Sequence, residues 1–168
     1  MGNVELIRRA AIHEAGHAVA CLVLGIPMVA VTIADGCYLH RGRYRPPHGL
    51  GVACLATMCL AGPAAEAALC GPITDSSDRV DIAMARRYLG GETTAELHRL
   101  RQAAARLVGS RWAQERIRAI ADALLARGTL TADQIYDLVS VDAANAWRKD
   151  ALVKHACHGK FQIFGRRL

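Results

Sequence analysis

Two histidines and a glutamate interrupt an otherwise uncharged run of small and aliphatic residues, Ala10-Ala11-Ile12-His13-Glu14-Ala15-Gly16-His17-Ala18-Val19-Ala20. A chain with three polar groups in such text must satisfy them inside its core or fold around something that does. On a helix, residues four apart stack on one face, one turn above the other. His13 and His17 then present two imidazoles at the spacing that lets both bind one tetrahedral zinc ion, with Glu14 beside them as a base. Burying all three groups unpaired is costly, and a cation compensates them together. A site of this kind needs a third protein donor and, for catalysis, an open fourth position for water.

The surrounding sequence bears out a helical setting. Residues 4–24 carry good helix formers throughout and stop at Gly25-Ile26-Pro27. Gly16 inside that helix costs roughly 1 kcal/mol relative to alanine, so its presence implies that another segment approaches the backbone closely there. Residues 29–34 (VAVTIA) are rich in β-branched side chains and read as a strand. Asp35-Gly36 marks a turn, and residues 38–45 are expected as the second strand of a hairpin.

Residues 50–69 read as a second helix, apolar nearly all round, which Gly62-Pro63 is expected to kink or split. The cap-rich cluster Thr74-Asp75-Ser76-Ser77-Asp78 opens a third helix running to about residue 89, where Gly90-Gly91 ends it. Residues 94–127 form one long helix or two broken near Gly109-Ser110. Gly128 and Thr129-Leu130-Thr131 cap a further helix over about 132–148.

The expected fold is mostly α with a small β-hairpin or sheet (α+β), one domain over 1–150 followed by a basic tail over 151–168. A chain of 168 residues that is 52% hydrophobic but only 5% aromatic must build its core from Ala, Leu, Val and Ile, which favours closely packed helices. Six cysteines without a CxxC pair suggest free thiols in a reducing, cytoplasmic setting, with Cys21, Cys54, Cys59 and Cys70 as small core residues. The net charge of +6 comes mostly from arginines over 79–127 interleaved with acids, a solvated helix face rather than a specific nucleic-acid surface. The uncharged runs 18–34 and 50–65 are interrupted or short for a spanning helix, so no membrane span is expected. Cys37 and His40 with His155, Cys157 and His158 form a weaker constellation, a second structural zinc that requires two unrelated segments to meet.

Three stretches carry a resemblance. AIHEAGHAV at 11–19, LAGPAAEAAL at 60–69 and TDSSDRVDIAMARRYL at 74–89 resemble the peptidase domain of FtsH-type ATP-dependent zinc proteases, over about residues 5–92. ALLARGTLTADQIYDL at 123–138 is similar to the family's closing helical segment more loosely. The resemblance implies an FtsH-peptidase-like zincin helical domain with one Zn2+ per chain, held by His13 and His17, and Glu14 as general base. It implies a third ligand from an aspartate heading a later helix. Asp78, which follows Ser76-Ser77, is the first choice, and Asp75 and Asp81 are alternatives. Glu66 is expected to accept a hydrogen bond from a ligand imidazole, or else to be the third ligand itself. Pro63 stands where the family usually has arginine.

In the family an edge strand beside the zinc pairs with an extended peptide, which implies Val29, Val31, Thr32 and Ile33 as substrate-binding residues. Tyr38, His40, Tyr44 and His48 lie in the segment expected to offer a further oxyanion donor. The sequence has no GxxxxGK[ST] loop, so the implied activity is a zinc metalloendopeptidase cutting peptides or unfolded protein segments, with a separate ATPase or unfoldase as one partner to consider. Hexameric rings in the family make a homo-oligomer another. Two alternatives stand beside this: a regulatory protease specific for one partner protein, and a non-catalytic zinc-binding interaction module. An intact Glu14 favours the enzymes, since a structural site needs no base.

Overall fold

A computed structural model of the chain describes residues 3–33, 51–72, 77–90 and 94–139. These form six helices and one two-stranded antiparallel sheet, so the fold is mostly α. In order they are α1 (Asn3–Leu24), β1 (Ala30–Thr32), α2 (Val52–Cys70), α3 (Ser77–Tyr88), α4 (Thr94–Gly109), α5 (Arg111–Arg127), β2 (Thr129–Thr131) and α6 (Ala132–Leu138).

The two uncharged helices make the centre. From Ala11 onward α1 is buried on nearly all sides, packed mainly against α2 and α5. Helix α2 is buried from Cys54 through Ala65 apart from Ala64, and packs against α1, α3 and α4. A helix that is apolar all round is stable only when neighbours cover every face, and this arrangement covers α2. By length and composition alone α2 could cross a membrane, yet 61% of that window is buried inside the fold. It runs as one helix through Gly62-Pro63, although the proline removes an intrahelical donor. The expected split does not occur, because packing from three helices holds the segment together.

Small residues set how closely α1 and α2 approach. A Cβ on Gly16 would lie 2.6 Å from the Cβ of Ala65 and 2.8 Å from the carbonyl oxygen of Ala61. The close neighbour implied by that glycine is therefore α2. With alanines and glycines at the crossing, the helix backbones meet where leucines would hold them apart.

The amphipathic pair α4 and α5 closes the other side, its core face formed by Leu97, Leu100, Leu107, Ile117, Ile120 and Leu124. The break between the two falls at Ser110, whose hydroxyl accepts a hydrogen bond from the Ala113 amide as N-cap of α5. Gly128, at φ 75°, ends α5.

Within 29–34 a strand forms over Ala30–Thr32, but its described partner is not a hairpin neighbour. β1 pairs with β2, with Ala30 opposite Thr131, Val31 opposite Leu130 and Thr32 opposite Thr129. Thr129-Leu130-Thr131 reads as a helix cap, and it serves as both cap and strand. Thr131 makes a reciprocal capping box with Gln134 at the start of α6, while Leu130 is fully buried. Capping chemistry is local and legible, whereas a strand pairing across about a hundred residues is decided by tertiary packing.

Cys21, Cys59 and Cys70 are free thiols. Cys54 is not: it is disulfide-bonded, which corrects the expectation of a reduced core residue there. A buried thiol and a buried half-cystine look alike in sequence. Several expectations lie outside the described residues: the strand over 38–45, the donors Tyr38, His40, Tyr44 and His48, the Cys37 and His155–His158 constellation, Asp75, the helical residues beyond 139, and the tail over 151–168.

Candidate metal centre

Helical spacing on α1 turns His13 and His17 to the same face, and their rings meet edge-on with centroids 4.9 Å apart. That face lies against α2 at Gly62. A Cβ on Gly62 would fall 2.4 Å from Nε2 of His17 and 2.8 Å from Nε2 of His13. Only a residue without a side chain leaves the two ring nitrogens their cradle.

Each imidazole is oriented from behind. Nδ1 of His17 lies 2.9 Å from the carbonyl oxygen of Met58 on α2. A carbonyl only accepts, so this nitrogen carries the proton and Nε2 keeps a lone pair. Nδ1 of His13 lies 3.2 Å from Oε2 of Glu66, whose other oxygen accepts from Arg9 Nε at 2.8 Å. The carboxylate is thereby an acceptor for His13 too. Both Nε2 lone pairs point into one space, 3.1 Å apart. Two facing lone pairs repel unless a cation, proton or metal, lies between them.

Asp81 completes the group. Its Oδ2 is 2.9 Å from Nε2 of His13, and its Oδ1 is 3.5 Å from Nε2 of His17. Among the described residues, His13, His17 and Asp81 are the set of donors that could hold a metal ion. Zinc bonds of ~2.0–2.1 Å in a tetrahedron separate donor atoms by about 3.3 Å. The three observed separations bracket that spacing, so the residues fit a zinc-sized ion.

The acid that the fold brings to the imidazoles is Asp81, whereas Asp78 is not among the grouped donors. Both lie in α3, which packs on α2. Asp78 occupies the first helical turn, where an acid is favoured by the helix terminus whatever else it does. Asp81, one turn further in, is the one carried to the imidazoles. Glu66 meets His13 on the opposite ring nitrogen, the place of a ring-orienting acceptor, and is not among the grouped donors.

The charges follow from this packing. Burial opposes a charge on His13, but its hydrogen bonds with Asp81 and Glu66, with the charges of Asp81 and Glu14, raise it to about 9. Burial works against ionised Asp81 as well, yet its bonds to the two imidazoles hold it down at about 2. The bond from His13, opposed by burial and aided by Arg9, lowers Glu66. With no metal bound, this packing favours a proton on His13 at neutral pH. Glu14 is half-buried beside His13 on α1. Burial raises the Cys59 thiol to about 12, with the charge of Asp81 adding to it.

Two features here were not read from the sequence. Gly62 was treated as a helix breaker, although its smallness serves the imidazoles. Arg9 carries no expectation from the sequence, yet it is buried at 6% exposure and bonds Glu66. Its signal was available in the phase: Arg9 is four residues before His13, on the same helix face.

The expected substrate strand is partly internal. Val31 is fully buried and Thr32 nearly so, while Val29 is exposed and Ile33 half-buried. The amide of Ile33 donates to Gly128 and the carbonyl of Val29 accepts from Ala132. By the alternation of an antiparallel ladder, backbone groups of Val29, Val31 and Ile33 face β2, and those of Ala30 and Thr32 face the opposite edge.

No protein-family model matches the chain, and no curated protein matches it.

Proposed function

We propose that this chain is a zinc metalloendopeptidase of the FtsH-peptidase type, hydrolysing peptide bonds in unfolded or flexible segments. One observation carries the reading. Two Nε2 lone pairs converge at 3.1 Å with both Nδ1 protons committed elsewhere, and a carboxylate lies against them. That arrangement supports a cation site with three protein donors among the described residues, the number that leaves a fourth position for water.

His13, His17 and Asp81 would hold the zinc, which when bound would supply Lewis acidity and a water whose pKa is lowered toward about 7. The chain's own residues do the rest. Glu14 takes the proton of the attacking water and returns it to the leaving amine. Glu66 and the Met58 carbonyl keep the ligand rings in the tautomer that offers Nε2. The outer backbone groups of Ala30 and Thr32 supply an edge on which an extended peptide can pair, a mode tolerant of substrate sequence. Cleavage would act on segments already extended; a folded substrate would need a separate unfoldase.

The test is cleavage of an unfolded casein or a quenched fluorescent peptide by zinc-loaded wild type and Glu14→Gln. The proposal expects turnover in wild type, abolished by EDTA, with Glu14→Gln binding zinc but inactive. Equal turnover by Glu14→Gln would remove the mechanism. Tight zinc binding without turnover on any peptide would favour the interaction module.

A further inference from the structure

Among the described residues Arg9 is the one arginine that is buried, and its contacts split into two sets. Nε donates to Oε1 of Glu66 at 2.8 Å. The rest of the guanidinium reaches the carbonyl oxygens of Cys70, Gly71 and Pro72 at 3.2, 3.5 and 3.1 Å, where α2 ends. The first contact leads to the metal centre, since the other oxygen of Glu66 receives His13 Nδ1. The second set is ordinary satisfaction of helix C-terminal carbonyls.

We infer that Arg9 is a positioning residue for the metal centre: through Glu66 it fixes the orientation of the His13 ring. The inference rests on the metal-site reading above. A carboxylate has two acceptor oxygens and rotates freely unless one is pinned. Arg9 pins Oε1, which leaves Oε2 aimed at the imidazole. Glu66 is itself buried at 6% exposure, so without the guanidinium its charge has only one imidazole to answer it. Such a carboxylate rotates or draws in water, and the ring it steers loses its fixed direction. Arg9 touches neither the donors' Nε2 atoms nor the reacting space, so its effect on zinc travels through Glu66 alone.

A double-mutant cycle on zinc affinity separates this role from helix capping. Zinc dissociation constants are measured for the full chain by competition with a chromophoric chelator at fixed pH. The variants are Arg9→Met, Glu66→Gln and the pair combined. Arg9→Met is expected to weaken zinc binding about tenfold alone, the usual scale for groups that orient ligands. In the Glu66→Gln background it is expected to change affinity less than about twofold. Arg9→Lys, which returns a cation to Glu66 but not a fork for three carbonyls, should restore most of the affinity while leaving the melting temperature lowered.

If Arg9→Met weakens zinc equally in both backgrounds, or not at all, Arg9 acts as a cap and the inference is overturned. Should Arg9→Met fail to fold, Arg9→Gln replaces it, keeping a donor for the carbonyls but no charge for Glu66, with the same cycle expected. A wild-type chain that takes up no zinc would sink the metal-site reading and this inference with it. Zinc uptake by wild type with an additive cycle would sink this inference only.

Discussion

Adding one methyl group at Gly62 is the sharpest perturbation the fold offers. The new Cβ would lie 2.4 Å from His17 Nε2, 2.7 Å from His17 Cε1 and 2.8 Å from His13 Nε2. Ordinary contact between such atoms is at about 3.5 Å, so the His17 ring must retreat by about 1 Å. Metal ligands tolerate displacements of only about 0.2 Å. The ring cannot turn aside without releasing its bond to the Met58 carbonyl. Nor can α1 and α2 separate without opening the contact at Gly16, already tight against Ala61 and Ala65. Gly62→Ala is therefore expected to weaken zinc binding by more than about 100-fold, beyond what losing a ligand-orienting group costs. Its effect on the metal-free fold is smaller. Overpacking costs about 1–3 kcal/mol, and the gain in helix propensity returns about 1 kcal/mol. Chelator competition measures the first quantity and denaturant unfolding in EDTA the second. A Gly62→Ala chain that holds zinc within threefold of wild type would show that the imidazoles do not lie against α2, and the argument would fail at its root.

Other outcomes follow from the same geometry. Asp81→Ala should abolish stoichiometric zinc by metal analysis while Asp78→Ala retains it; the reverse would return the third ligand to Asp78. In EDTA, the His13 contribution to stability is complete below about 6.5 and lost as pH rises through about 9, because its folded pKa is raised. Asp81, lowered from 3.8 to about 2, contributes above 3.8 and loses that contribution as pH falls through about 2. Melting temperatures of the metal-free chain should therefore be highest between these limits and decline toward pH 9, and the extra stability conferred by zinc should grow over the same rise. A metal-free profile flat from pH 6 to 9 would contradict the proton assigned to His13. Ala30→Pro removes a backbone donor facing away from β2, so it should raise KM for peptides and leave zinc content unchanged; an unaltered KM would move the substrate elsewhere.

Much of this centre is legible in the sequence, and the parts that are not share a cause. The HEAGH spacing fixes two imidazoles on one helix face, and Gly16 announces a close helix crossing; both depend only on local periodicity. Glu66 is legible as an acceptor for a ligand imidazole, and it lies 3.2 Å from His13 Nδ1. The choice between Asp78 and Asp81 was not legible. The two are three residues apart on one helix, and which one reaches the imidazoles depends on how α3 crosses α2. The resemblance favours Asp78 because it follows Ser76-Ser77, yet the first turn of a helix attracts acids for its own reasons. The pairing of β1 with β2 and the burial of Arg9 are likewise tertiary facts. The long arginine side chain reads as solvent-facing until a buried carboxylate appears opposite it.

The most direct measurement is zinc K-edge X-ray absorption on the metal-loaded chain. The account predicts a first shell of nitrogen and oxygen only, at ~2.0–2.2 Å, with multiple scattering from two imidazoles. A scatterer at ~2.3 Å, the zinc–sulfur distance, would put Cys59 or another thiol in the shell, and the centre described here would be wrong.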